Sequence, residues 1–218
     1  MNFNIIDIEK WNRKEHYLHY IKNLRCTFSL TTNIDITFLK QEMKKKNKKI
    51  YPALIYMIAT AVNHHKEFRM DTDSDGHLGY WSEVNPSYTV FHEENQTFSS
   101  IWTEYNSCFT TFYDNCVQDI YDYSSSTLMT PKPNMPQNIF TISCIPWTEF
   151  TSFNLNVYNE GYYLPPIFTV GKFIYEEEKV LMPLAIQVHH SVCDGFHIGM
   201  FINSLKELAN NYSDWALF

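Results

Sequence analysis

Hydrophobic and polar positions alternate in two different rhythms along this chain, and the change between them divides it. Residues 10–24 carry Trp11, Leu18 and Ile21 at helical spacing among polar residues, and 25–32 then alternate as a strand. Asp35 is placed to cap a second helix over 36–46, which the run Lys44-Lys45-Lys46-Asn47-Lys48-Lys49 ends. Tyr51-Pro52 opens an apolar helix to about Val62, with proline in the first turn, where no donor is lost. From Phe68 the rhythm becomes β-type, with short segments at 77–81, 87–92 and 97–102 bounded by Asp, Gly, Asn or Pro, which reads as an antiparallel block. Residues 107–123 return to a helix, and Pro131, Pro133 and Pro136 stiffen the connection that follows. Strands are expected at 139–145, 153–157, 167–175 and 180–188, with Glu176-Glu177-Glu178-Lys179 as a turn. A last amphipathic helix over 195–210 puts Phe201, Leu205 and Leu208 on one face. Helices and strands mix without βαβ alternation, which predicts an α+β two-layer fold around a large mixed sheet.

Composition narrows this picture. The 218 residues are 44% hydrophobic, 17% aromatic and 19% charged, too apolar for a disordered chain. A chain of this size buries roughly 70% of its extended surface, enough for one full core. No internal repeat, linker or composition break divides it, so one domain over 1–218 is expected. The formal charge of −7 lacks the electrostatic footprint that phosphate backbones select, which argues against a nucleic-acid partner. Acids at Asp7 and Glu9 do not suit an export signal, and the apolar stretch 52–62 is too short to cross a bilayer, so no membrane partner is expected. Five scattered cysteines (Cys26, Cys108, Cys116, Cys144 and Cys193) read as reduced thiols of a cytoplasmic protein.

The chemistry concentrates in Gln187-Val188-His189-His190-Ser191-Val192-Cys193-Asp194-Gly195-Phe196-His197, between a strand and a helix. Two imidazoles, a carboxylate four residues after the second and a glycine would let one histidine act as a general base near neutral pH. Two other readings stay open on the residues alone. His189, His190, Asp194 and His197 include permitted metal ligands, and Cys193 lies beside a histidine as a nucleophile would.

This segment resembles the signature of the chloramphenicol acetyltransferases, Q-[LIV]-H-H-[SA]-x-x-D-G-[FY]-H, and matches it at every fixed position. Collinear segments extend the resemblance over nearly the whole chain: Trp11-Asn12-Arg13-Lys14-Glu15-His16, Phe28-Ser29-Leu30-Thr31, Tyr51-Pro52, Phe68-Arg69-Met70, Thr89-Val90-Phe91-His92 and Ser152-Phe153-Asn154-Leu155-Asn156-Val157. The resemblance implies the CoA-dependent acyltransferase fold, with a large mixed sheet and flanking helices. It further implies acetyl transfer from acetyl-CoA to a primary hydroxyl, the 3-hydroxyl of chloramphenicol, as a means of antibiotic resistance. In that scheme His190 is the general base, and Ser143 donates to the tetrahedral oxyanion. Asp194 pairs with Arg13 to hold the loop. The acceptor pocket maps onto Tyr20, Leu24, Cys26, Phe28, Phe98, Leu155, Val157, Ile167 and Thr169. Trp147 and Phe173 lie where CoA would pass, and a lysine of the 44–49 run could meet its phosphates. No metal is implied, and the partners are the drug, acetyl-CoA and two further copies in a homotrimer with interface sites. His19 stands where the family often has Phe, and Thr151 where Asp is common.

Related CoA-dependent acyltransferases such as the dihydrolipoamide acyltransferase cores share an HxxxDG-type loop, but this chain has no lipoyl segment. A non-catalytic drug- or CoA-binding protein would not require both His190 and Ser143. The hexapeptide-repeat acetyltransferases need a six-residue period that is absent.

Overall fold

Residue patterning becomes architecture in the computed structural model, which describes residues 2–158 and 161–217. In chain order the elements are β1 (Phe3–Ile5), α1 (Lys14–Leu18), β2 (Thr27–Asp35), α2 (Thr37–Lys45), α3 (Ile50–His64), β3 (Met70–Thr72), β4 (Leu78–Trp81), β5 (Asn85–His92) and β6 (Thr97–Trp102). They continue with α4 (Phe109–Asp122), β7 (Ile139–Ile145), β8 (Ile167–Gly171), β9 (Ile174–Glu176), β10 (Lys179–His189), α5 (Gly195–Asn210) and α6 (Tyr212–Trp215). Seven strands of the described residues form a mixed sheet in the order β2-β10-β8-β7-β5-β6, with β9 on β10. Pairing is parallel for β5 with β7 and β7 with β8, and antiparallel elsewhere in that sheet. A smaller antiparallel sheet, β1-β4-β3, is separate. The α+β mixed sheet with flanking helices is as the patterning predicts.

Local chemistry explains the helix ends. Asp35 accepts from Thr37 N–H (3.0 Å) and Thr37 Oγ1 (2.6 Å) at the start of α2. At its end Asn47 turns left-handed at φ 53°, and Lys48 N–H closes onto Met43 O at 2.8 Å.

The register sorts the two faces of the sheet. Ile142 lies opposite Phe168, and Phe168 opposite Ile186, on the face that packs against α3 and α5. There Phe201 of α5 stacks on Phe68 (4.6 Å between ring centroids) and on Phe168 (5.1 Å). Phe201 is fully buried. Phe201→Ala is expected to lower stability by about 3–5 kcal/mol, read as a lower urea midpoint at unchanged slope. The other face is polar. Ser143 lies opposite Thr169, Thr169 opposite Ala185, and Ala185 opposite Thr31. Thr141, Gln187 and Ser29 form the adjoining row with Ile167.

Three expectations need correction. The first helix does not run through 10–24: α1 ends at Leu18 and a π-helical turn, His19–Asn23, follows. Residues 153–157 form no strand, because the main-chain groups of β10 at Gln187 are already committed to Ser29 of β2 and Ile167 of β8. The strand expected over 167–175 breaks after Gly171, where a Cβ would come within 2.9 Å of Phe150. The antiparallel expectation for 77–102 holds for the β5–β6 pair, whereas β4 belongs to the smaller sheet.

Candidate active site

The loop from β10 to α5 is held at both ends. Val192 N–H and Cys193 N–H both donate to His189 O (3.2 and 3.1 Å), turning the chain sharply. Asp194 then caps α5, its Oδ1 accepting from Phe196 N–H at 3.0 Å, while its own N–H donates to His197 Nδ1 at 3.1 Å. From the N-terminal part of the chain, Arg13 Nη1 donates to Asp194 Oδ2 at 2.6 Å. Partial burial alone would raise the Asp194 pKa. The hydrogen bond from Arg13 and the nearby His197 outweigh it and hold the carboxyl below its ordinary value. A carboxylate with a depressed folded pKa contributes stability above its unfolded pKa, and that stability is lost as pH falls through the folded value. Side-chain exposure is 15% for Arg13 and 31% for Asp194, which leaves the pair only partly screened. Arg13→Ala is therefore expected to cost about 2 kcal/mol at neutral pH. The deficit against the native chain should shrink as pH falls below 4, checked by urea unfolding at several pH values.

The adjacent histidines have opposite surroundings. His189 is buried, its Nε2 donating to Gly161 O (2.9 Å) and its Nδ1 accepting from Ser191 N–H (3.2 Å). Burial lowers its pKa, so it is a neutral ring with both nitrogens committed. His190 is only partly buried. Its backbone N–H donates to Cys26 O at 3.0 Å, and its ring stacks on Tyr20 (4.0 Å, 12°) and tilts against Phe28 (4.9 Å). Nδ1 lies 3.3 Å from Cys193 O. A carbonyl only accepts, so Nδ1 carries the proton and Nε2 keeps its lone pair. The π-helical turn that broke the expected helix carries Tyr20 onto this ring.

Cys193 is buried, which pushes its thiol well up, against a thiolate nucleophile. His189, His190, Asp194 and His197 do not converge as a ligand cluster among the described residues. The residues that do are Asp73, Asp75 and His77, whose ligand atoms lie within 4.8 Å of one another.

The other residues singled out from sequence stand elsewhere. Leu155, Ile167 and Thr169 meet at one tight crevice on the polar face, with Phe153 and Gln187, that has no room for a water-sized sphere. Val157 borders Thr27 and His189. Phe98, on β6, is paired with Phe91 and half exposed, and Leu24 is 56% exposed. Ser143 sits two strands from Ala185, which is five residues before His190 along β10. At about 3.3 Å per residue and about 4.8 Å per strand, the two backbones are about 19 Å apart. Within one chain Ser143 and His190 cannot meet at one reacting atom.

On the helix side of the sheet, an apolar cavity of about 370 Å³ is lined by Tyr51, Leu54, Phe91, Cys144, Trp147 and Phe173, among others. Trp147 and Phe173 were singled out from sequence. Tyr51 and Leu54 as cavity residues were not, since an apolar helix gives no sign of which positions line a void. Ile50 also borders an open groove of about 540 Å³ flanked by Lys40, Lys44, Lys48 and Lys49.

A family model described as chloramphenicol acetyltransferase matches residues 1–206. The chain belongs to the chloramphenicol acetyltransferase family. A chloramphenicol acetyltransferase from Clostridium butyricum is 57% identical over 215 residues, 99% of this chain and 98% of the relative. One from Staphylococcus aureus is 47% identical over 217 residues, the whole of both chains. A solved chloramphenicol acetyltransferase structure superposes at TM-score 0.85 with 24% identity, over 95% of this chain and 100% of that one. The Azotobacter vinelandii dihydrolipoamide acetyltransferase shares the fold at TM-score 0.66 and 17% identity, over 93% and 88%. As a member of the chloramphenicol acetyltransferase family the protein is an acetyltransferase. No helix of the described residues is long and apolar enough to cross a membrane.

Proposed function

We propose that this chain, acting as one domain in the cytoplasm, transfers acetyl from acetyl-CoA to the 3-hydroxyl of chloramphenicol and so confers resistance to the drug. The observation that carries the mechanism is the His190 tautomer: Nδ1–H is turned to the Cys193 carbonyl and Nε2 is left basic. Nε2 takes the proton of the hydroxyl as its oxygen attacks the thioester carbon. The tetrahedral oxyanion accepts a hydrogen bond from Ser143 Oγ, a donor of a kind worth about 2.7–4 kcal/mol in other oxyanion holes. Collapse expels the CoA sulfur, which leaves with the proton held on Nε2. Base, oxyanion donor and leaving group are all accounted for without a metal.

Ser143 and His190 serve one reaction only if they come from different subunits, which supports a homotrimer with a site at each interface. His190, Tyr20, Leu24, Cys26 and Phe28 then face Ser143, Phe98, Leu155, Val157, Ile167 and Thr169 of a neighbour. Arg13 and Asp194 keep the loop in place from behind. The apolar cavity beside Trp147 and Phe173 suits the pantetheine and adenine of CoA, with the lysine groove next to it for phosphate. In the Azotobacter vinelandii enzyme a serine, a histidine and an asparagine four residues after that histidine were studied for roles in catalysis. His190 and Asp194 keep that spacing here. The test is thiol release from acetyl-CoA by the purified protein. Release that requires chloramphenicol supports the assignment, and a folded protein that releases none with the drug would refute it.

A further inference from the structure

We infer that Gln187 is a positioning residue for the acceptor pocket, its side-chain amide replacing a missing strand and fixing the backbone of Leu155. The inference rests on the reading above that Leu155 lines the drug site. Gln187 is buried on the polar face of β10. Its Nε2 donates to Leu155 O at 2.6 Å, and its Oε1 accepts from Leu155 N–H at 2.7 Å. Ser29 Oγ donates to the same Oε1 at 3.3 Å, and the sense of the amide is fixed by Leu155, since a flipped group would set like ends against both its N–H and its carbonyl.

One donor and one acceptor meeting both backbone groups of a single residue is the pairing a neighbouring strand would supply. Main-chain groups cannot supply it here, because Gln187 pairs through its backbone with Ser29 and Ile167. Among the described residues no backbone-to-backbone hydrogen bond holds 151–157, so the amide is the polar tie between this segment and the sheet. Asparagine is one methylene short, glutamate lacks the donor, and methionine lacks both groups. The segment carries Phe153 and Leu155 over Ile167 and Thr169. Holding it at one register sets the wall against which an aromatic acceptor would pack, whereas the cavity beside Trp147 lies across the sheet and shares none of these residues.

The test is steady-state kinetics on Gln187→Met, which keeps the side chain's length and loses both hydrogen bonds. The KM for chloramphenicol should rise about tenfold or more, with the KM for acetyl-CoA and kcat at saturating drug within about twofold of the native enzyme. Gln187→Glu, which when ionised keeps the acceptor but sets a carboxylate oxygen against Leu155 O, should also raise the drug KM selectively. Equal rises in both KM values, a fall in kcat at unchanged drug KM, or a Gln187→Glu enzyme equal to the native one would overturn the inference. Should Gln187→Met fail to fold, Ser29→Ala loosens the amide more gently. It should raise the drug KM alone by about threefold, and no change there would count against the clamp. Hydrogen exchange at the Leu155 amide separates this inference from the substrate assignment. Faster exchange in the folded variant supports the clamp even if the native protein acetylates no chloramphenicol, and unchanged exchange refutes it.

Discussion

His190→Ala is expected to lower kcat for chloramphenicol acetylation by about 10³- to 10⁴-fold while the protein folds and binds acetyl-CoA as before. A primary hydroxyl is a poor nucleophile at neutral pH, and a placed base contributes about 10²–10⁴ by removing its proton as the new bond forms. The upper part of that range is expected because the ring is preorganised by the Cys193 carbonyl, the Tyr20 stack and Phe28. Little of the fold depends on the imidazole itself. The backbone bond to Cys26 survives substitution, as does the Arg13–Asp194 pair. Thiol release measured over a range of drug concentrations separates chemistry from binding, and the KM for acetyl-CoA should stay within about threefold. His190→Gln sharpens the test: the side chain keeps a polar end but offers no comparable base. A loss below tenfold in both variants would remove His190 from proton transfer, and substantial activity in Gln alone would reduce it to a positioning role.

Much of the frame was legible in the sequence because burial and periodicity coincide there. Helix α3 is mostly apolar and buried over 52–62, and α5 places Phe201 and Leu205 on the face its spacing indicated. Asp35 meets the first turn of α2 from one residue ahead of the cap position, which Ile36 occupies, because its carboxyl is within reach of Thr37 whatever the rest of the chain does. Harder to read were features decided by distant partners. The pattern of 10–24 continues past Leu18, yet the helix gives way to a π turn that carries Tyr20 to His190. Residues 153–157 alternate like a strand, and the partner that holds them is a side chain. Strands β1 and β3, three residues each, are too short for periodicity to mark. The parallel neighbours β5, β7 and β8 are joined by long connections, so no local signal reveals their pairing.

The candidate site shows the same division. Gln187 to His197 is a local motif whose turn and cap are made within the segment, while Arg13, Tyr20, Phe28 and Cys26 reach it from far along the chain. The segregation of His190 from Ser143 is a matter of sheet register, which only the fold reveals.

That segregation leads to the second large effect. Ser143→Ala alone should lose about 10²- to 10³-fold in kcat through the missing oxyanion donor, and His190→Ala loses more. Mixed trimers of the two inactive chains should nevertheless regain activity. In the proposed cyclic trimer each site would take His190 from one chain and Ser143 from the next. Wherever a Ser143→Ala chain presents its intact His190 to the intact Ser143 of a His190→Ala chain, both groups are native. Every mixed trimer, of either stoichiometry, contains one such interface in three, so its expected rate is about a third of the native value per trimer. Differently tagged chains, co-expressed and purified through both tags, give the mixed population free of parents. Recovery to about a third, from parents each at about one per cent of native or less, would place the two residues on opposite sides of an interface. No recovery in verified mixed trimers would mean that both groups act from one chain. The roughly 19 Å that the register sets between them would then have to close by a rearrangement of the sheet. A central seven-stranded sheet packed on α3 and α5 resists such a rearrangement, because shifting β10 against β8 by one residue would turn the buried Ile186 to the polar face.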